Sequence, residues 1–126
     1  MIILIILIGT NIAYYNESTI EKTYNSEKVV VIIKRSGNIV NISLRISANA
    51  NSTGQLFPFS IDMPEWAIPK EEVSSTTSLH SNGYYSDTGN VWMYIGKSAT
   101  VCKILGTYSN KRGEADTLVC DLTYII

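Results

Sequence analysis

The stretch Lys28-Val-Val-Val-Ile-Ile-Lys-Arg35, the turn Ser36-Gly-Asn38 and the run Asn38 to Ala48 decide the fold class. In the second limb Ile42, Leu44 and Ile46 fall on one face, with Ile39 set against Val40 at its start. Asn41, Ser43, Arg45 and Ser47 fall on the other. A period of two is a half-buried β-strand. The first limb is a β-branched run long enough for a buried strand, and Ser-Gly-Asn between two such runs is a hairpin turn. The rest of the composition agrees: 18 Ile, 8 Val and 11 Thr stand against 6 Ala and 8 Leu. Strong helix formers are scarce and strand formers abundant, so the chain reads as all-β.

Outward from that hairpin, strand signals alternate with turn residues. Ile12 to Tyr15 and Thr19 to Tyr24 are short candidates before it. After it come a loop at 49–54, a strand from Leu56 to Ile61 and a proline-fixed connection at 64–69. Val73 to His80 reads as an edge-like strand rich in Ser and Thr, and 81–90 as a loop. Val91 to Ile95 and Ala99 to Leu105 read as a hairpin about 96–98, 106–116 as a second loop, and Thr117 to Ile126 as the closing strand. Eight to ten short strands at this spacing predict a sandwich, jelly roll or barrel.

At 126 residues the chain suits one domain, and 45% hydrophobic residues supply a core. Ten basic against eleven acidic residues leave a net charge of −1, which excludes a general binder of nucleic-acid backbone. Two cysteines and one histidine fall short of an ordinary structural zinc site, so no metal and no cofactor is expected. Cys102 and Cys120 lie in apolar strand segments and read as buried free thiols. The run Ile2 to Ile8 is too short to cross a bilayer, and Lys22 is the first basic residue, so neither membrane insertion nor a signal peptide is expected. It reads as a strand or oligomer-forming plug, buried between subunits because an exposed apolar run aggregates. The chain thus divides into an N-terminal oligomer-forming segment, 1–23, and a β-sandwich domain, 24–126.

No enzyme motif stands out, and the acidic group Asp62, Glu65, Glu71 and Glu72 reads as a solvated turn. The aromatic residues are more informative. Tyr84 and Tyr85 sit among His80, Asn82 and Asp87, and Trp92 and Tyr94 share the strand face opposite Val91, Met93 and Ile95. Aromatic rings beside amides and carboxylates suit a sugar, whose C–H face stacks while its hydroxyls are hydrogen-bonded. These seven residues are the candidate glycan site. The structural alternative is that the rings face a neighbouring subunit or anchor packing.

The order of pieces resembles the C-terminal receptor-binding (head) module of bacteriophage tail and tail-fibre proteins. The resemblance is carried by Gly37-Asn-Ile-Val-Asn-Ile-Ser-Leu-Arg-Ile46, by Leu56-Phe-Pro-Phe-Ser-Ile-Asp-Met-Pro-Glu-Trp-Ala-Ile-Pro69, by the 91–104 hairpin and by the ending 106–126. It departs from the family in beginning with a bare apolar run instead of a stem, and leaves open whether the chain is part of a longer tail protein. The resemblance implies a jelly-roll-like antiparallel β-sandwich, assembled in the host cytoplasm as a homotrimer. It would sit at the tail tip or fibre end of the virion beside other phage tail proteins, and bind bacterial surface saccharides without catalysis. A structural trimerisation or fibre-cap module without a ligand site is the first alternative; a small polysaccharide-degrading enzyme is the second.

Overall fold

The computed structural model describes the backbone of residues 15–24, 27–81 and 84–126, and their side chains except at 24, 55–58 and 84–88. The strands are β1 Tyr15–Tyr24, β2 Glu27–Ser36, β3 Ile39–Ala48, β4 Ser52–Asp62, β5 Val73–Ser81, β6 Tyr84–Ile95, β7 Val101–Asn110 and β8 Asp116–Ile125. One short 3-10 turn, Glu65–Ala67, follows β4. All pairings are antiparallel, in the order β1-β2-β3-β8-β5-β6-β7-β4. The all-β antiparallel expectation is met.

Side chains show that this sheet folds over on itself. The hydroxyl of Tyr108 on β7 donates to Glu27 Oε1 on β2 at 2.6 Å, although four strands separate them in the sheet. At about 4.8 Å per strand, a flat sheet would hold them more than 20 Å apart. The two outermost strands also meet, with Lys22 Nζ donating to the Ser60 carbonyl at 3.0 Å. Among the described residues, backbone pairing passes between the two halves, β1-β2-β3-β8 and β5-β6-β7-β4, where His80 and Ser81 pair with Val119 and Leu118. The halves form a sandwich. In the second half β4 lies beside β7 and not β5, which is a Greek-key arrangement.

Period-two alternation fills the interior. Val29, Val31 and Ile33 of β2 meet Val40, Ile42, Leu44 and Ile46 of β3, Val91, Met93 and Ile95 of β6, and Leu118, Cys120 and Leu122 of β8 in one core. The connection 64–69 closes one edge: Tyr124 donates to the Ala67 carbonyl at 2.5 Å and Arg35 to that of Trp66 at 2.8 Å. β4 carries an extra residue between Leu56 and Phe59, and Pro58, which has no N–H to donate, is accommodated at that bulge on an outermost strand.

Several sequence expectations are corrected. Residues 84–90 are strand, because their backbone pairs with β5 from Ser81↔Tyr84 onward; the connection at 82–83 lies outside the described residues. Residues 106–110 continue β7 between β4 and β6. Gly106 is needed there for close approach and not for a turn, since a Cβ would lie 2.5 Å from the Asn90 carbonyl oxygen. β5 meets β8 at His80 and Ser81, whereas Val73–Ser78 pair with β6 alone, so most of the strand is edge-like as expected, and its Ser/Thr content reflects one solvated face. β1 pairs with β2 along its whole length, from Tyr15↔Ser36 to Tyr24↔Glu27. The run at 2–8 lies outside the described residues.

Cys102 and Cys120 are free and buried. Burial pushes the Cys102 thiol up to about 12 and the Cys120 thiol up to about 11. A folded value above the unfolded 9.0 means that this contribution to stability is complete below pH 9. It is lost progressively as pH rises through the folded values. Denaturant unfolding is expected to show stability falling above pH 9 by about 1.4 kcal/mol per pH unit for each thiol. Native protein at pH 8 should resist alkylation; rapid labelling of both thiols without unfolding would contradict this burial.

Candidate functional site

Alternation places Val91, Met93 and Ile95 in the core and leaves Trp92 and Tyr94 half-buried on the outer face of β6. The two rings stack, with centroids 5.3 Å apart and planes 20° from parallel. Register puts Thr76 and Leu105 on either side of Trp92, but the indole Nε1–H donates to Ser74 Oγ, one row along, at 2.9 Å. The indole therefore leans toward Tyr94. Because the two residues are two apart on one strand, the stack runs along β6. The Trp92 face turned away from Tyr94 looks toward Asn90.

That next row is polar. Asn90 sits between Ser78 and Thr107, and its Oδ1 accepts from Ser78 Oγ at 3.3 Å. Beyond it β6 bulges: register with β5 passes from Ser78↔Asn90 to His80↔Asp87, so Thr88 and Gly89 together face Leu79. Gly89 holds φ +129°, a conformation that L residues avoid. Pairing of β6 with β7 ends at Gly89↔Tyr108, whereas β7 runs on beside β4 to Asn110. The opening between them is a depression of about 320 Å³ lined by Thr53, Gly54, Gly89, Thr107, Tyr108 and Ser109. Gly89→Ala is expected to lower the thermal midpoint, because its Cβ would stand 2.0 Å from the Thr107 carbonyl oxygen. An unchanged midpoint would show that the bulge relaxes freely.

The floor of the depression is held from beneath. The Tyr108 ring lies under Gly54, where a Cβ would be 2.5 Å from it, and its hydroxyl is fixed by Glu27. Glu27 is buried and also accepts from the Asn49 N–H at 2.5 Å and Ser52 Oγ at 2.8 Å. Nearby, the Asn110 amide donates to the carbonyls of Asn49 and Glu114, both at 2.9 Å. Asp116 accepts from Ser81 and from Arg112, and the Ser81 hydrogen bond, first among these contacts, holds its carboxyl below the usual carboxylate range.

Of the seven expected site residues, the structure brings Trp92 and Tyr94 together. His80 is exposed on the same outer face of β5, two rows past Thr76, the partner of Trp92. Asn82 lies outside the described residues, as do the side chains of Tyr84, Tyr85 and Asp87, whose backbones belong to β6. Sequence reasoning missed Ser78, Asn90, Thr107, Ser109 and Thr53. Strand hydroxyls carry no distinguishing pattern, and only the register gathers these around Asn90.

Fold and site together define an antiparallel β-sandwich that presents an aromatic and hydroxyl-rich surface on one sheet. No protein-family model matches the chain, and the search of curated proteins returns no match. Among solved structures it is similar to the distal domain of the mouse adenovirus 2 fibre, studied as a methylmercury chloride derivative. The identity is 13% over 85% of this chain and 70% of that chain, with a TM-score of 0.47. A superposition of that quality assigns no role to this chain.

Proposed function

We propose that this chain is a non-enzymatic receptor-binding head that attaches to a bacterial surface glycan through the outer face of β5, β6 and β7. The observation that carries the reading is the stacked Trp92–Tyr94 pair, left on the solvent side of a sheet with its indole N–H tied to Ser74. A restrained ring beside Asn90, Ser78 and Thr107 offers a C–H stacking face and hydroxyl partners together. Stacking worth about 1 kcal/mol and hydrogen bonds of about 1 kcal/mol net give millimolar to tens-of-micromolar affinity per site. Several copies acting together convert such sites into firm adhesion. On this reading, which follows the resemblance noted above, such a head would sit at a phage tail tip or fibre end in the virion, beside other tail proteins. A glycan array probed with wild type and Trp92→Ala tests the reading; equal binding by both, or no binding by wild type, would refute it.

A homotrimer is proposed with it, and one observation favours a separate subunit surface. Tyr15, Ile39 and Ile125 are 53%, 53% and 79% exposed and share one outward row with Ser36 at the end of β1-β2-β3-β8. That row is on the other sheet from Trp92, so subunit packing leaves the aromatic face open. Light scattering should give about three times the 14.0 kDa chain mass, and a monomer mass at micromolar concentration would overturn the trimer.

A further inference from the structure

We infer that the depression at the Gly89 bulge is a second sugar subsite, so that the outer face takes a linear β-1,4-linked gluco-configured oligosaccharide of three units laid along β6. This rests on the glycan reading of Trp92 and extends it. All-equatorial pyranoses carry axial C–H bonds on both ring faces, which is the surface an indole face stacks against. Three residues of strand separate Trp92 from Gly89, about 10 Å, so Trp92 and the depression hold two rings with one between them over Asn90 and Thr107.

The lining of the depression combines hydroxyls with apolar surface, as a sugar ring requires. At about 320 Å³ it lies near the lower bound of small-ligand sites, with room for one ring. Thr53, Thr107 and Ser109 bring hydroxyls, each able to donate and accept. The Ser109 Oγ has no hydrogen-bond partner and is closed to solvent, so a rotation about χ1 into the depression is what would let a sugar hydroxyl meet it. Among the described residues, Gly54 and Gly89 bring no side chain into the depression, and Cβ atoms there would strike Tyr108 and the Thr107 carbonyl. The Tyr108–Glu27 hydrogen bond keeps the floor rigid before a ligand arrives.

Calorimetric titration of the intact protein with β-1,4-linked glucose oligomers of one to five units tests the inference. Affinity should rise up to the third unit and then stay level. Ser109→Val and Thr53→Val, both compatible with a strand and both lining the depression alone, should bind the trisaccharide about tenfold more weakly and the disaccharide as wild type does. Ser109→Val removes no existing hydrogen bond, so it should fold normally. Affinity that stops rising at two units, or variants that bind the trisaccharide like wild type, would overturn the subsite and leave the Trp92 reading intact. No binding across this series, with hits elsewhere on the glycan array, would also overturn the subsite alone. A blank array would overturn both.

Discussion

Glu27→Ala is expected to be the most damaging single change outside the apolar core, costing about 3–5 kcal/mol in urea unfolding. The substitution takes their shared acceptor from the Asn49 N–H and the hydroxyls of Ser52 and Tyr108 at a buried position. Each unsatisfied buried donor costs about 1–3 kcal/mol, less where water reaches it. Against a typical total of about 5–15 kcal/mol, such a loss is large. Tyr108→Phe should cost less, about 1–2 kcal/mol, because it removes one donor and leaves the other two bonds to the carboxylate. The Glu27–Tyr108 bond also spans the two halves of the sandwich, so proteolysis near Ser52 and Asn110 should accelerate with it. A loss below about 1 kcal/mol for Glu27→Ala would mean that the carboxylate is not the tie between the sheets.

Trp92→Ala should abolish measurable carbohydrate binding and leave the sandwich folded. The ring is outward and half-buried, so its removal opens no core cavity; its neighbour Met93 is 1% exposed, and Met93→Ala should cost about 2–5 kcal/mol. The contrast between adjacent residues separates a binding defect from a folding defect. Trp92→Phe should retain part of the binding, since a stacking face remains while the bond to Ser74 is lost. Unimpaired binding by a folded Trp92→Ala would move the site to another face.

The sandwich was legible where side-chain period and environment agree. Alternation in Asn38 to Ala48 and in Val91 to Ile95 assigned the inner and outer faces of β3 and β6, and thereby the outward setting of Trp92 and Tyr94. Glycine misled. Gly89 and Gly106 read as turn residues, yet both lie within strands, one at a bulge and one where a Cβ would meet a neighbouring carbonyl. Local composition is the same for a turn glycine and a close-approach glycine; only the neighbouring strand distinguishes them. Glu27 was equally opaque, as a lone acid at a strand start reads as solvated while its partner Tyr108 is 81 positions away. Thr107 and Ser109 join the candidate site solely through the register of β7 with β6 and β4.

The most direct measurement uses the two tryptophans as internal probes. The chain contains only Trp66 and Trp92, so an amide-region spectrum of the 15N-labelled protein holds two indole N–H signals, assigned by Trp66→Phe. Titration with a binding glycan from the array should shift the Trp92 indole signal in a saturable way and leave that of Trp66 in place. Saturable glycan binding that leaves the Trp92 signal unmoved would contradict the assignment of the outer face of β5, β6 and β7 as the receptor-binding surface.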